Sequence, residues 1–547
     1  MTDFDAVIVG AGAGGGVAAW VLASRGWKVA LIEKGRNPYP TLSADTLEGS
    51  LLGNDEVRRR RYFAFQDPFI EPRVYRAGAS ATPQVREIQG LGVTVGGGTV
   101  QYDGDSPRLQ KIDFQRLSML GPVEGATVVD WPIGYDDLAP YYDEVERLIG
   151  VQGLAGPGGD PFAEARGPYP MPPGHPARAG VLLSEAATAM GYHPHPMPMA
   201  INSMGYRGRP ACVNCGFCQF GCPVNAKGST AVTVVRDALR TGNLTLLSEC
   251  CVTALDMEPS GAHARGVRYL DPKGDPQLVT ARHVIVAANA IETPRLLLAS
   301  ATSAQPDGVG NASGLLGRNL MFHIVFAAIG VFDQELRSYR GRPITHAMAD
   351  FTQPDASVPG LRGGYVELGG QLHPLEEGVS YPWLLHKELM INGRYRRKIA
   401  SVSMIGEDVP SLDNRVELDP KVRDVYGRPA PRITYGRHPK DQAMVDHYAP
   451  KLSAIAKAAG AKEIIDVDFV KQDGRPESKH LLGTARMGTD PKRSVTDPWG
   501  RLHDVDNVWI ADGSTWPTSA AFNPTLTQQA LAHRTAAYVV DPKAPKP

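Results

Sequence analysis

The sequence has no excess of charge of one sign and no long hydrophobic run. Its 547 residues include 57 Lys and Arg against 58 Asp and Glu, a formal net charge of −1. This balance gives no electrostatic basis for binding nucleic acid or an anionic membrane surface. The longest apolar stretch, residues 321–332, is shorter than a bilayer-spanning helix. We therefore predict no membrane span, no nucleic-acid partner and a small-molecule ligand.

We also expect no targeting segment at the start of the sequence. Asp3-Phe4-Asp5 leads directly into an apolar run, which leaves no room for the charged and apolar regions of a signal peptide. We expect a cytoplasmic protein, with export on a folded partner as the alternative.

The chain is longer than a domain with a single hydrophobic core usually is, so two domains are expected.

A glycine fingerprint follows the first predicted strand, residues 6–9. Gly10 allows a sharp turn, Gly12 allows the backbone to approach a pyrophosphate, and Gly15 allows the next helix to pack closely on the strand. Glu33 ends the following strand, where a carboxylate holds a ribose hydroxyl. A bare glycine turn is the alternative, but strand, glycines, helix and acid occur in the order that predicts an adenine dinucleotide site.

Three further segments have the pattern of the same nucleotide domain. Residues 95–99 form a second glycine turn that includes Gly97 and Gly98, whose bare backbone can lie against a flat ring system. Residues 284–289 read as a buried strand followed by a helix over 291–298, and residues 508–513 repeat the strand pattern near the C-terminus. Each alone is typical of ordinary core or turn.

Taken together, these motifs resemble those of the glucose-methanol-choline flavoprotein oxidoreductases over most of the chain. Within that family the resemblance is strongest to the bacterial gluconate and glucose dehydrogenase large subunits. Besides the segments above, the landmarks that carry it are residues 130–133, 135–142, 288–298, 317–323, 414–418, 480–484 and 523–525.

The resemblance and the patterns predict an α/β fold in which a Rossmann-like FAD-binding domain is interleaved with an α+β substrate domain. We assign residues 1–150, 205–320 and 473–547 to the FAD-binding domain. Residues 321–472 form the substrate domain, built on a mainly antiparallel sheet. Residues 151–204, rich in Gly and Pro, are expected to be a surface connection.

The resemblance implies that the cofactor is FAD. It places Asp512 against the ribityl or phosphate region, and Asn523, Pro524 and Thr525 at the edge of the isoalloxazine. Some relatives attach FAD covalently through a histidine just after the glycine turn. Residues 100–102 of this chain are Val, Gln and Tyr, so we expect noncovalent FAD.

Four of the six cysteines lie close together, at Cys212, Cys215, Cys218 and Cys222. This spacing matches a bacterial ferredoxin run, which favours an iron–sulfur cluster. We predict Cys215, Cys218 and Cys222 as ligands, with Cys212 the least expected. Structural cysteines without metal are the alternative; zinc and disulfides fit the spacing less well.

His480 is the predicted catalytic base, because removing a hydride from an alcohol carbon requires loss of the hydroxyl proton and neutral imidazole is a natural acceptor. Its surroundings resemble the family's catalytic histidine motif, and Asn523 occupies the position of the second His or Asn. The prediction is FAD-dependent oxidation of an alcohol group of a sugar, polyol or sugar derivative, with hydride transfer to flavin N5. The reoxidation step stays open: an acceptor protein or a quinone is expected if the cysteines hold a cluster, and oxygen or a quinone if they do not.

Two alternatives remain open. One is an oxidase that uses oxygen on a sterol or long-chain alcohol. The other is a flavin electron-transfer subunit without catalysis.

Overall fold

A parallel sheet forms the centre of the first domain. The structure is a computed structural model that describes residues 2–37, 67–88, 91–358, 360–370, 397–471, 473–543, 545 and 547. The parallel strands are β1 (Phe4–Val9), β2 (Val29–Glu33), β6 (Leu244–Ser248), β9 (Pro276–Val286) and β17 (Val508–Ile510). Across the sheet they run β6-β2-β1-β9-β17, which is third, second, first, fourth and fifth in chain order. This is the doubly wound order, so the predicted Rossmann-like sheet is confirmed.

Strand β9 joins this parallel sheet to an antiparallel extension. Its first half pairs with β8 (Ala264–Leu270), which pairs in turn with β7 (Cys251–Met257). Its second half lies between β1 and β17, with Val284–Val286 in register with both. Three segments that are distant in sequence therefore end at the same edge of the sheet.

Nine α-helices are found in the described residues. They are α1 (Ala13–Ser24), α2 (Lys111–Phe114), α3 (Arg116–Leu120), α4 (Tyr135–Ile149), α5 (Arg178–Ala189), α6 (Val234–Arg240), α7 (Asn289–Ala299), α8 (Pro439–Ala458) and α9 (Thr525–Val540). Side chains of β1 alternate between two hydrophobic cores. Ala6 and Ile8 pack with α1, α4 and α9, whereas Val7 and Val9 pack with β7–β9 and α7.

The second domain is built on a six-stranded sheet in which every neighbouring pair is antiparallel, as predicted. The strands are β5 (His195–Pro196), β10 (Ile324–Val331), β11 (Ile344–Met348), β12 (Gly364–Gly369), β13 (Ile399–Gly406) and β16 (Glu463–Asp468). Their order across the sheet is β16-β10-β13-β12-β11-β5. One face packs against α5 and α8 through a core that includes Phe326, Val402 and Met404.

The stretch predicted as a surface connection contributes to this second domain. Within residues 151–204, α5 buries Leu183 and Ala187 against the antiparallel sheet, and β5 forms its edge strand. Composition suggested a loop because Gly and Pro dominate residues 153–180, but the helix begins where they become sparse. The proposed boundaries at residues 150 and 205 stay a prediction.

A small third sheet connects distant segments. It consists of β3 (Val74–Arg76), β4 (Gln84–Val85), β14 (Arg415–Arg423) and β15 (Pro429–Thr434). β3 pairs in parallel with β15 and so links the N-terminal region to the chain that follows β13.

The apolar run at residues 321–332 contains β10 of the antiparallel sheet. Among the helices that the structure describes, none is long and apolar enough to cross a membrane.

Candidate active site

A cavity of about 720 Å³ lies between the carboxyl ends of the parallel strands and one face of the antiparallel sheet. Most of the predicted cofactor and catalytic residues line it. They are Gly10, Gly12, Glu33, Gly97, Gly98, His480, Asp512, Asn523, Pro524 and Thr525. Gly15 lies outside the lining, on α1. Ligands of doubly wound sheets bind at this edge, where the strand order reverses.

The two glycine turns contact each other at the cavity wall. Gly10 has a φ of +96°, and a Cβ there would lie 2.5 Å from the carbonyl oxygen of Ala287. A Cβ on Gly15 would lie 1.9 Å from the carbonyl oxygen of Gly10, so α1 packs directly on the turn. A Cβ on Gly97 would lie 2.8 Å from Cα of Gly12. Gly12 itself has open space on the cavity side, since a Cβ there would meet no atom within 4 Å.

Two buried carboxylates organise the backbone at this edge. The N–H groups of Ala11 and Gly35 donate to Glu33 at 3.0 and 2.8 Å. The N–H of Asn289 and the hydroxyl of Thr293 donate to one oxygen of Asp512 at 2.9 and 2.6 Å. Both carboxylates line the cavity. The N-terminus of α1, the bare backbone at Gly12 and these carboxylates fit the pyrophosphate and hydroxyl groups of an adenine dinucleotide.

His480 is half-buried in the cavity wall and contacts a second histidine. Its Nδ1 lies 2.9 Å from Nδ1 of His323, and the rings meet edge to face with centroids 4.9 Å apart. Nε2 of His323 lies 3.0 Å from the carbonyl oxygen of Ser519. Burial lowers the pKa of His480 well below its ordinary value of 6.5, with smaller contributions from His323 and Lys479. His480 is therefore neutral at physiological pH.

Asn523 is held by a carboxyl group that the sequence analysis missed. Its Nδ2 donates to Oε1 of Glu367 at 3.0 Å, and Glu367 lies in the middle of β12 with only 8% of its surface exposed. Burial raises the pKa of Glu367 to about 7. A signal was present in the sequence, because an acidic residue interrupts the otherwise uncharged strand Gly364–Gly369.

The cysteine run lies behind the second glycine turn. The ammonium group of Lys227 donates to the carbonyl oxygens of Val100 and Tyr102 at 2.9 and 2.7 Å and also to that of Cys218. All six cysteines fall in the described residues and none forms a disulfide. Cys218 is buried, Cys222 is half-buried and Cys215 is exposed.

The described residues include no group of three or more His, Cys, Asp or Glu arranged to hold a metal ion. The structure therefore gives no support to Cys215, Cys218 and Cys222 as a preformed metal site. Burial also raises the pKa of the Cys218 thiol well above its ordinary value.

Five parallel strands in the doubly wound order, with two glycine turns at their carboxyl ends, define a dinucleotide-binding protein. Two family models described as GMC oxidoreductase match residues 5–325 and 410–532. The chain belongs to the GMC oxidoreductase family, as the sequence motifs predicted.

Relatives of known activity extend over nearly the whole chain. The 2-methyl-1,2-propanediol dehydrogenase of Mycolicibacterium austroafricanum is 31% identical over 98% of this chain and 95% of its own length. Paromamine 6'-oxidase of Streptomyces fradiae is 34% identical over 97% of this chain and 90% of its own. A fructose dehydrogenase large subunit and a gluconate 2-dehydrogenase flavoprotein are also among the relatives.

A solved structure has the same fold. Pyridoxine 4-oxidase from Mesorbium loti superposes with a TM-score of 0.65 at 20% identity, over 97% of this chain and 98% of its own.

Because of its family and its relatives, the chain is an FAD-dependent oxidoreductase that acts on CH–OH groups. The predicted enzyme class is thus confirmed.

A matched set of glycine variants tests the cofactor site. In Gly12→Val the new Cβ meets no protein atom within 4 Å, so we expect a folded protein that has lost most of its FAD because the side chain would enter the region expected for the pyrophosphate. In Gly15→Val the side chain collides with the backbone of Gly10, so we expect a lower melting temperature. The ratio of flavin to protein absorbance and thermal denaturation measure the two effects.

Gly167→Val is the control for this set. Gly167 is exposed, lies outside the cavity and also has open space around a Cβ, so both quantities should match the wild type. Full FAD content in Gly12→Val would contradict the assignment of Gly12 to the pyrophosphate.

Proposed function

We propose that this enzyme oxidises an alcohol group of a sugar, polyol or sugar derivative, with His480 as the base. The observation that carries the proposal is that His480 and Asn523, distant in sequence, line the same cavity as the two glycine turns. The glycine turns, Glu33 and Asp512 would hold FAD, which would supply the hydride acceptor. His480 takes the hydroxyl proton, which its lowered pKa allows because the imidazole is neutral at physiological pH.

Asn523 orients the alcohol in this proposal. When Glu367 is ionised, its contact determines which way the amide points, since only Nδ2 donates to a carboxylate. Oδ1 of Asn523 is buried and accepts no hydrogen bond from any described residue. It is available for a hydroxyl hydrogen of the substrate. Positioning of this kind lowers the barrier by holding the reacting carbon and the base in a productive geometry.

Acidic side chains in the cavity support a substrate rich in hydrogen-bond donors. Asp103 and Asp105 line it together with Glu367. One oxygen of Asp103 accepts from Gln219 at 3.0 Å, whereas Oδ1 of Asp103 and Oδ1 of Asp105 have no partner within the described part of the chain. Buried acceptors without donors are costly, so a ligand with several hydroxyl or amino groups is favoured. The diol and aminoglycoside named for the two relatives above are of this kind.

We also propose that FAD binds noncovalently, on the basis of Val, Gln and Tyr at positions 100–102.

For the exit of electrons from the flavin, the cysteine run is the candidate second redox centre. Its support is the Lys227 ammonium, which holds the carbonyl of Cys218 beside those that follow the second glycine turn. The lack of an arranged metal site among the described residues opposes it.

Replacement of the base is the first test. His480→Ala should retain FAD and slow anaerobic flavin reduction by about a hundred-fold or more, the usual effect of losing a general base. In the wild type, the reduction rate should fall at acid pH as His480 becomes protonated. Because its pKa is lowered, this fall should come below pH 6.5. Rapid-mixing absorbance measures both; a wild-type rate in His480→Ala would show that the base lies elsewhere.

A substrate panel tests the substrate class. Polyols, sugars and amino sugars should reduce the flavin anaerobically, whereas sterols and long-chain alcohols should not. With oxygen as the acceptor, hydrogen peroxide is measured in the same preparation, and acid precipitation should release the flavin from the protein. Reduction by sterols or long-chain alcohols with peroxide formation would favour the oxidase alternative. No reduction by any alcohol would favour the electron-transfer alternative.

Iron and acid-labile sulfide analysis of protein purified without air decides the role of the cysteines. If they hold a cluster, iron should be present in a fixed ratio to flavin, and Cys218→Ser should lose iron and slow transfer to one-electron acceptors while flavin reduction by the substrate continues. Cys212→Ser is the comparison, since Cys212 is the member of the run least expected to be a ligand and its replacement should leave the iron in place. Protein that contains flavin but no iron would show that the four cysteines have a structural role.

A further inference from the structure

His323 lies behind the proposed base and does not line the cavity. It directly precedes β10 and is 1% exposed. In the described structure its two ring nitrogens make two different contacts, one with Nδ1 of His480 and one with the carbonyl oxygen of Ser519. These two contacts decide where the protons are, because a carbonyl oxygen only accepts a hydrogen bond.

The Ser519 contact places a proton on Nε2 of His323. At 3.0 Å from the carbonyl oxygen, this nitrogen must donate. Burial lowers the pKa of His323 to about 4, so its ring carries a single proton at neutral pH. Nδ1 of His323 is then without a proton and acts as an acceptor.

The contact between the two histidines therefore has one direction. The two Nδ1 atoms are 2.9 Å apart, and one of them must donate. Since Nδ1 of His323 has no proton, Nδ1 of His480 donates. A neutral imidazole has only one N–H, so Nε2 of His480 carries the lone pair.

We propose that His323 is a positioning residue that sets the tautomer of His480, so that the substrate proton is taken at Nε2 of His480. The inference rests on the proposed function, in which His480 is the base. When Nε2 of His480 receives the proton, its Nδ1 continues to donate to His323, so the contact with His323 is unchanged while the charge forms. The nitrogen that a second group binds determines which nitrogen reacts.

One buried loop is connected to both predicted catalytic side chains. Asn523 belongs to the loop, and His480 contacts it through His323. Ser519, whose carbonyl accepts from His323, lies four residues before Asn523, and residues 518–523 are all buried. The Ser519 hydroxyl accepts from the N–H of Asp408 and donates to the carbonyl of Asp408, both at 2.9 Å. The loop is therefore anchored to the chain that follows β13, and it couples the orientation of His480 to the position of Asn523.

The test compares a variant that keeps the donor and acceptor with one that removes both. In His323→Leu, Nδ1 of His480 loses its acceptor and the ring is free to adopt the other tautomer; we expect flavin reduction to slow by about ten-fold or more, with FAD retained. In His323→Gln, the amide supplies a donor for Ser519 and an acceptor for His480, so much of the rate should return. His503→Leu is the control, because His503 contacts Ser494 outside the cavity.

A second measurement does not depend on activity. Nitrogen-15 NMR of histidine-labelled holoenzyme at neutral pH, with His480→Ala to assign the signals, should show His480 protonated at Nδ1 alone in the wild type and as a mixture of tautomers in His323→Leu. A wild-type His480 protonated at Nε2, or equal rates and spectra in wild type and His323→Leu, would overturn the role of His323. If His480→Ala reduces its flavin normally while the tautomer is as expected, the proposed base fails and the hydrogen-bond chain stands.

Discussion

The parallel pairing of β9 with β1 on one side and β17 on the other is the constraint on which the site depends. Val284–Val286 is in register with Val7–Val9 and with Val508–Ile510. The N–H of Ala287 donates to Val9 and the N–H of Ala511 donates to Val286, both at 2.9 Å. Because parallel strands end at the same edge, the glycine turn, the start of α7 and Asp512 meet there. A shift of one residue in either pairing would separate them.

The second constraint is the alternation of side chains in the antiparallel sheet. Val366 and Leu368 of β12 face the hydrophobic core, and Glu367 between them faces the cavity. Ser401 and Ser403 of β13 alternate with Val402 in the same way. Since the side-chain period of a strand is two, a strand with one apolar face presents polar groups on the other without breaking the core. In this way the sheet gives the cavity the polar side chains of Glu367, Ser401 and Ser403.

The buried polar groups of the site have a cost that the surrounding structure offsets. Glu367, His323 and Asp512 are each buried and would be destabilising without partners. Asn523 donates to Glu367, Ser519 accepts from His323, and Asn289, Thr293 and Ser514 donate to Asp512. These contacts hold the side chains in one orientation, which is what an active site needs before its ligand arrives.

The sequence by itself determined the fold class, the dinucleotide fingerprint, the family and the enzyme class. These follow from local patterns: apolar runs of strand length, glycines at spacings that a turn requires, and motifs in a particular order. It also indicated His480 and Asn523 as candidates for the alcohol chemistry. The contribution of residues 178–196 to the antiparallel sheet was missed, because the abundance of Gly and Pro just before them favoured a loop.

Only the tertiary structure decided which groups contact the candidate residues. His323 and His480 are far apart in sequence, as are Glu367 and Asn523, and no local pattern records that their side chains are within hydrogen-bond distance. Whether the cysteines are arranged around a metal is likewise a matter of where the thiols point, which spacing alone does not determine. Periodicity reflects the local backbone, whereas the partner of a buried polar group depends on how distant segments pack.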